Sequence, residues 1–174
     1  MKNRPISKMS YGEKQVENTA IRLAFYEDCH REALYGFELG AEQEKFTASA
    51  HDAIQTLGDP NRHLIVILVW GRPVGYFILH GKNGPLEIGS HEHALLIRSL
   101  AINAADQRKG YALEAMLKLP EFARKNFRGI TELILIVNHA NLPAQKLYQK
   151  AGFIDSGFRR QGKIGEQYIY HYFL

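Results

Sequence analysis

Residues 131–137 carry an unbroken apolar stretch, Leu133-Ile134-Leu135-Ile136. A short run of this kind has no face left for water, so the strand it predicts must be covered on both sides. That requires a sheet with helices on both faces. A second strand is predicted over 93–102, and between the two a helix starts near Gly110. Two strands joined by one helix form a parallel pair with a right-handed crossover, which places the loop before the helix at the carboxyl end of the first strand.

The remaining pattern extends this unit without repeats or low-complexity tracts. Residues 19–25 alternate imperfectly and predict a first strand. Helical spacing follows over 27–39 (Ala33, Leu34, Phe37) and over 42–57, which ends at the breaker Gly58-Asp59-Pro60. Runs at 63–70 and 74–80 flank Gly71-Arg72-Pro73 and predict a hairpin, and 81–89 reads as a loose connection. A helix over 141–150 is stopped by Gly152, and two final strands, 153–158 and 167–173, flank a polar turn at 159–165. The expected fold class is α/β, a mixed sheet with helices on both faces. The 174 residues and 45% apolar content suit one domain over 19–174, preceded by a polar tail or entry segment, 1–18.

Composition excludes several roles. The tail has no apolar stretch of the kind a secretory signal needs, and the longest apolar run, 64–70, is far short of the roughly 20 residues that span a bilayer. Cys29 is the single cysteine, so an internal disulfide and a cysteine-rich zinc site are both ruled out. A soluble, cytoplasmic protein is expected. The formal charge of +4 comes from scattered basic residues with short clusters at Arg108-Lys109, Arg124-Lys125 and Arg159-Arg160, which lacks the dense basic face of a nucleic-acid binder and suits a phosphate-bearing ligand.

The chemistry concentrates where the strand ending at Leu100-Ala101-Ile102 runs through 103–109 into a helix at Gly110-Tyr111-Ala112. A helix start presents unpaired backbone N–H groups and a positive dipole end, so it binds a pyrophosphate without special side chains. Gly110 and Ala112 keep that backbone approachable. Alone, Gly-x-Ala at a helix start is also what an ordinary helix start looks like.

Gln107, Gly110 and Ala112 resemble the Gln/Arg-x-x-Gly-x-Gly/Ala motif of the Gcn5-related N-acetyltransferases. At the expected distance, Asn141, Ala144, Leu147, Tyr148, Gly152 and Phe153 resemble that family's Asn-x-x-Ala-x-x-Leu-Tyr-x-x-x-Gly-Phe pattern. The resemblance implies a mostly antiparallel mixed sheet with a splayed, parallel central strand pair. It also implies an enzyme that moves an acetyl group from acetyl-coenzyme A to an amine by direct attack. The backbone of Leu100, Ala101 and Ile102 would pair with the pantetheine arm. The N–H groups of Gln107, Arg108, Lys109, Gly110, Tyr111 and Ala112 would hold the pyrophosphate, and Asn141 would touch the cofactor arm. Tyr148 would lie near the thioester sulfur. A phenol with a pKa of about 10 is protonated at neutral pH and can supply the proton that a departing thiolate needs. Helical spacing alone makes Tyr148 a packing residue.

The attacking amine must lose a proton, and in many members of that family a glutamate on the strand accepts it. Here the strand reads Ala94-Leu95-Leu96-Ile97-Arg98-Ser99-Leu100, without a carboxylate. Glu87, His91, Glu92 and His93 are the nearest candidates, each also readable as a polar turn residue, and Glu92 is carried as the candidate base. His91-Glu92-His93 lacks a third ligand pattern, so no metal is expected. Pro120 is expected to kink or break its helix. Tyr168, Tyr170 and Tyr172 either line an acceptor pocket or pack. The acceptor site is placed between 25–57 and the last hairpin. There Glu27, Asp28, Glu32, Glu38 and Glu42 would attract a cationic small amine, deprotonated through water; a protein N-terminus or lysine is the other acceptor class. The expected partner is thus a small-molecule or peptide amine, with neither nucleic acid nor membrane, and a homodimer is an allowed assembly. The rival reading is a noncatalytic acyl-coenzyme A-binding module, which needs no Tyr148.

Overall fold

The computed structural model describes residues 21–174; the tail expected over 1–18 lies outside them. Seven strands form one sheet in the order β1-β2-β3-β4-β5-β7-β6. They are β1 Ile21–Phe25, β2 Arg62–Val69, β3 Arg72–His80, β4 Ala94–Ile102, β5 Glu132–Asn138, β6 Ile154–Gly162 and β7 Gly165–Phe173. Among the described residues only β4 and β5 pair in parallel; the other neighbours are antiparallel. The fold is therefore the mixed, mostly antiparallel sheet with a parallel central pair that the family resemblance implies.

The apolar runs sort by parity, as a period of two demands. In β2, Ile65, Ile67 and Val69 face one core while Leu64, Val66 and Leu68 face another. In β5, Leu133, Leu135 and Val137 join the first core, and Ile134 turns to a small third cluster with Ala94 and Leu96. The first core is roofed by α5 Tyr111–Asn126 and α6 Leu142–Lys150. Leu34, Ala50 and Ala53 cover the second. They come from α1 Arg31–Tyr35 and α3 Ala50–Gln55, with the short α2 Ala41–Glu44 between them and α4 Asn83–Leu86 following β3.

Three expectations are corrected. The region 27–57 is split into a 3-10 turn (Asp28–His30), three short helices and the start of a second 3-10 turn (Thr56–Gly58) where two longer helices were expected. Gly36 and Gly40 end and begin helices there, and Ser49 caps α3 by accepting from the Asp52 N–H. The helix around Pro120 is not broken: α5 runs through it, because Ala115, Met116, Leu119, Pro120 and Ala123 are all buried against the sheet. Packing of that face offsets the roughly 3 kcal/mol that an interior proline costs. The last hairpin is tighter than expected, with Gly162 opposite Gly165 and only two residues in the turn.

One irregularity positions the site. Tyr76 pairs with Ala101 and Ile78 with Arg98, so β4 carries an extra residue opposite β3, and Ser99 adopts φ 56°. Such a bulge turns a strand away from its neighbour. The parallel pairing of β4 with β5 stops at Ile97 and Leu135, whereas β5 keeps β7 as far as Asn138. The central pair opens beyond that level.

Candidate active site

The opening between β4 and β5 is a cleft of about 820 Å³. Its walls include Leu96 to Leu100 and Ile102 of β4, Ile136 to Asn138 of β5, Ala112 of α5, and Asn141, Ala144, Leu147 and Tyr148 of the α6 region. The segment 43–47 and the hairpin 160–164 close the far side.

Of the residues expected to hold the cofactor, Leu100, Ile102, Ala112 and Asn141 line this cleft, while the Ala101 side chain is buried in the second core. Gln107, Arg108, Lys109, Gly110 and Tyr111 form the loop and helix start beside it. Gly110 sits at φ 84° and Arg108 at φ 61°, the left-handed region that glycine enters freely and other residues rarely do. The first helical backbone bond of α5 runs from the Glu114 N–H to Gly110 O at 3.1 Å, so the N–H groups from Tyr111 to Leu113 precede the ladder. Asn141 caps α6, its Oδ1 accepting from the Ala144 N–H at 3.2 Å.

Two bracing contacts were invisible in the sequence because they join distant positions. Arg72 clamps Asp106 with two bonds of 2.9 Å, and Lys109 adds a third of 2.9 Å. Asp106 is buried, and its hydrogen bonds from Arg72, with help from Lys109, hold its carboxyl well below the usual carboxylate range. Lys109, expected at the cofactor, thus has its ammonium tied to the loop's own anchor. The second contact joins Gln43 to Ile102, whose carbonyl also accepts from Gln107 Nε2 at 3.1 Å.

Tyr148 is 8% exposed and lines the cleft, with its ring edge-on to Phe153 at 5.8 Å between centroids. Burial pushes its phenol above the ordinary range. Among the described residues its hydroxyl has no hydrogen-bond partner. A buried tyrosine with an open hydroxyl beside a strand opening can pack and donate a proton at once.

Glu92 is not brought to this place. It lies before the start of β4, the end away from the loop, with its side chain 71% exposed and 3.9 Å from His93. His91 turns to the buried Glu132 at 2.8 Å, and His171 approaches the other Glu132 oxygen at 3.1 Å. The carboxylate that reaches the cleft is Glu87, which follows α4 and pairs with Arg98 at 2.7 Å. None of Glu27, Asp28, Glu32, Glu38 and Glu42 lines it; Asp28 pairs with Arg31 and Glu42 with Lys45. The tyrosine row packs: Tyr170 is buried in the first core, and Tyr168 and Tyr172 lie against it.

A parallel strand pair that opens beside a glycine-led helix start, with a tyrosine in the opening, is the arrangement that the resemblance to the acetyl-coenzyme A-dependent transferases implies. The family model described as the acetyltransferase (GNAT) family matches residues 19–153, and the chain belongs to that family. It is similar to the uncharacterised N-acetyltransferase YbbJ of Bacillus subtilis (strain 168), at 43% identity over 156 residues, covering 88% of this chain and 98% of that protein. Among solved structures it resembles aminoglycoside acetyltransferase AAC(6')-Ib with coenzyme A and kanamycin (TM-score 0.70, 18% identity, 88% of this chain and 94% of that one). It also resembles spermidine N-acetyltransferase from Vibrio cholerae with coenzyme A and spermine (TM-score 0.65, 14% identity, 90% and 96%). At such identities the two structures bear on the fold alone.

Proposed function

We propose that this acetyltransferase carries the acetyl group of acetyl-coenzyme A to a primary amine by direct attack, with Tyr148 as the proton donor. The observation that carries this reading is that Tyr148 of α6 lines the same cleft as the α6 cap Asn141 and the opened edge of β4. Pyrophosphate would lie on the N–H groups from Gln107 to Ala112, and the pantetheine arm along Leu100 to Ile102. The amine lone pair attacks the thioester carbonyl carbon, with a strand N–H steadying the oxygen as it gains charge. The carbon–sulfur bond then breaks, and the thiolate takes the Tyr148 proton. The amine's proton leaves through water and restores the tyrosine, since Glu92 and any β4 carboxylate are absent from the cleft lining and Glu87, which lines it, is held by Arg98 at 2.7 Å.

The test is thiol release from acetyl-coenzyme A across a panel of amines, with products identified by mass. Amide formation on a small amine supports the reading. Tight acetyl-coenzyme A binding with no thiol release on any small amine, peptide N-terminus or lysine overturns it in favour of a noncatalytic binding module.

A further inference from the structure

The cleft is lined by four cationic side chains, Lys45, Arg98, Arg160 and Lys163, and among the described residues by one carboxylate, Glu87. Lys45 is neutralised from outside by Glu42 at 2.7 Å. Arg98 holds Glu87. Arg160 and Lys163 have no carboxylate partner among the described residues. A polycation would enter this space against like charge.

These cations do not belong to the pyrophosphate loop. Along β4, Leu95 and Ile97 point to the core beneath α5, and Leu96 points to the opposite cluster with Ile134. Arg98 continues the Leu96 side, ahead of the bulge, so its guanidinium lies across the sheet from the α5 start. It is only partly exposed, and its Nε is buried without a hydrogen-bond partner. Burial first, with Arg62 and Arg160 adding to it, holds this guanidinium below its usual range against the opposing pull of Glu87. Arg160 lines both this cleft and an adjoining cavity that shares Glu87, Ile88 and Gln161 with it.

We infer that the acceptor is a small amine that also bears an anionic group, a carboxylate or a phosphate, with Arg98 and Arg160 holding the anion and Glu87 facing the ammonium. A guanidinium presents a planar fork of donors that suits either oxyanion, and Arg98, which gives Nη2 to Glu87, remains partly exposed to the cleft. Glu87 beside Arg98 gives the site the two opposite charges that a zwitterion carries. This inference rests on the acetyl-transfer reading and deepens it by naming the acceptor class.

The experiment compares kcat/KM for matched acceptors under saturating acetyl-coenzyme A: amino acids, their decarboxylated amines, aminoalkyl phosphates, and spermidine. The anionic acceptors are expected to exceed the matched plain amines and spermidine by at least about 10-fold. The better of carboxylate and phosphate identifies the anion. Arg98→Gln and, separately, Arg160→Gln should raise KM for the anionic acceptor by about 10- to 100-fold, with a clearly smaller change for the matched plain amines, and leave acetyl-coenzyme A affinity within a few-fold. Arg98→Lys should recover part of the loss. Spermidine or plain amines preferred by the wild type, or both glutamine variants retaining full discrimination, would overturn the inference while leaving acetyl transfer intact. No turnover with any amine would overturn both.

Discussion

The side-chain amide of Gln43 makes two hydrogen bonds with the backbone of Ile102: its Nε2 donates to the Ile102 carbonyl at 2.8 Å, and its Oε1 accepts from the Ile102 N–H at 3.1 Å. This is the pairing that one residue of an added strand would supply. The next residue along, Asn103, gives its N–H to Val74 O on the β3 side, so Ile102 presents its groups away from β3, into the opening. Gln43 therefore occupies the backbone groups that the proposed pantetheine arm would use.

If the cofactor must displace that amide, Gln43→Ala removes a competitor that makes two hydrogen bonds, together worth roughly 1 kcal/mol or more. The expected outcome is acetyl-coenzyme A binding tightened by about 3- to 10-fold, read by calorimetry on the folded variant. Weaker binding would mean that Gln43 stays in place and the arm takes another edge.

The loop that precedes α5 gives a sharper test. Gly110 has open space around a notional Cβ, so bulk alone does not forbid a side chain there, but its φ of 84° strains any other residue. Gly110→Glu adds that strain and a negative charge at the proposed pyrophosphate site. Acetyl-coenzyme A affinity should fall by at least about 100-fold with the thermal midpoint still cooperative. Undiminished binding by the folded variant would move the phosphate site elsewhere.

Much of the architecture was readable because it is written in local pattern. The doubly buried strands β2 and β5 show as continuous apolar runs, and Asn141 to Phe153 shows a capped helix with its glycine stop. What was not readable depends on contacts across the chain. Pro120 was expected to kink or break α5 because helix propensity is local, while the burial that keeps the helix from breaking is tertiary. Glu92 was the nearest carboxylate to β4 by sequence, yet the strand carries it away from the opening, and Glu87 arrives through α4 instead. The Gln43–Ile102 and Arg72–Asp106 contacts join positions 59 and 34 residues apart, which no motif spacing marks.

Asp106 gives a pH prediction. Its carboxyl is held low by Arg72 first and then Lys109, so its folded pKa lies below the unfolded value of about 3.9. A group with a depressed folded pKa contributes stability that is present in full above its unfolded pKa and is lost as pH falls through the folded one. Between pH 5 and 8 this contribution should be flat, and below about pH 4 the thermal midpoint should drop more in the wild type than in Asp106→Asn. At neutral pH the variant should lose about 1–3 kcal/mol, because the Arg72 and Lys109 donors lose their charged acceptor. Acid unfolding with the same slope in both proteins would show that the clamp does not couple to folding.

Tyr148 carries the chemical step of the proposed reaction, and its surroundings set what should be seen. The ring is buried among Leu147, Phe153 and the first core, so phenylalanine fills the same volume without the hydroxyl. Loss of a proton needed only as the thiolate departs lowers kcat and leaves ground-state binding alone. Tyr148→Phe should therefore reduce turnover by about 10- to 1000-fold, with acetyl-coenzyme A affinity within a few-fold and an unchanged thermal midpoint. Burial pushes the phenol upward, and a donor acts only while protonated, so wild-type turnover should show no loss from tyrosine ionisation up to about pH 10, the ordinary phenol value. Steady-state kinetics across pH 6 to 10 on both proteins checks each part. Equal kcat in the two would leave Tyr148 as a packing residue, and a wild-type decline near pH 8 absent from the variant would mean a phenol far more acidic than its buried position allows.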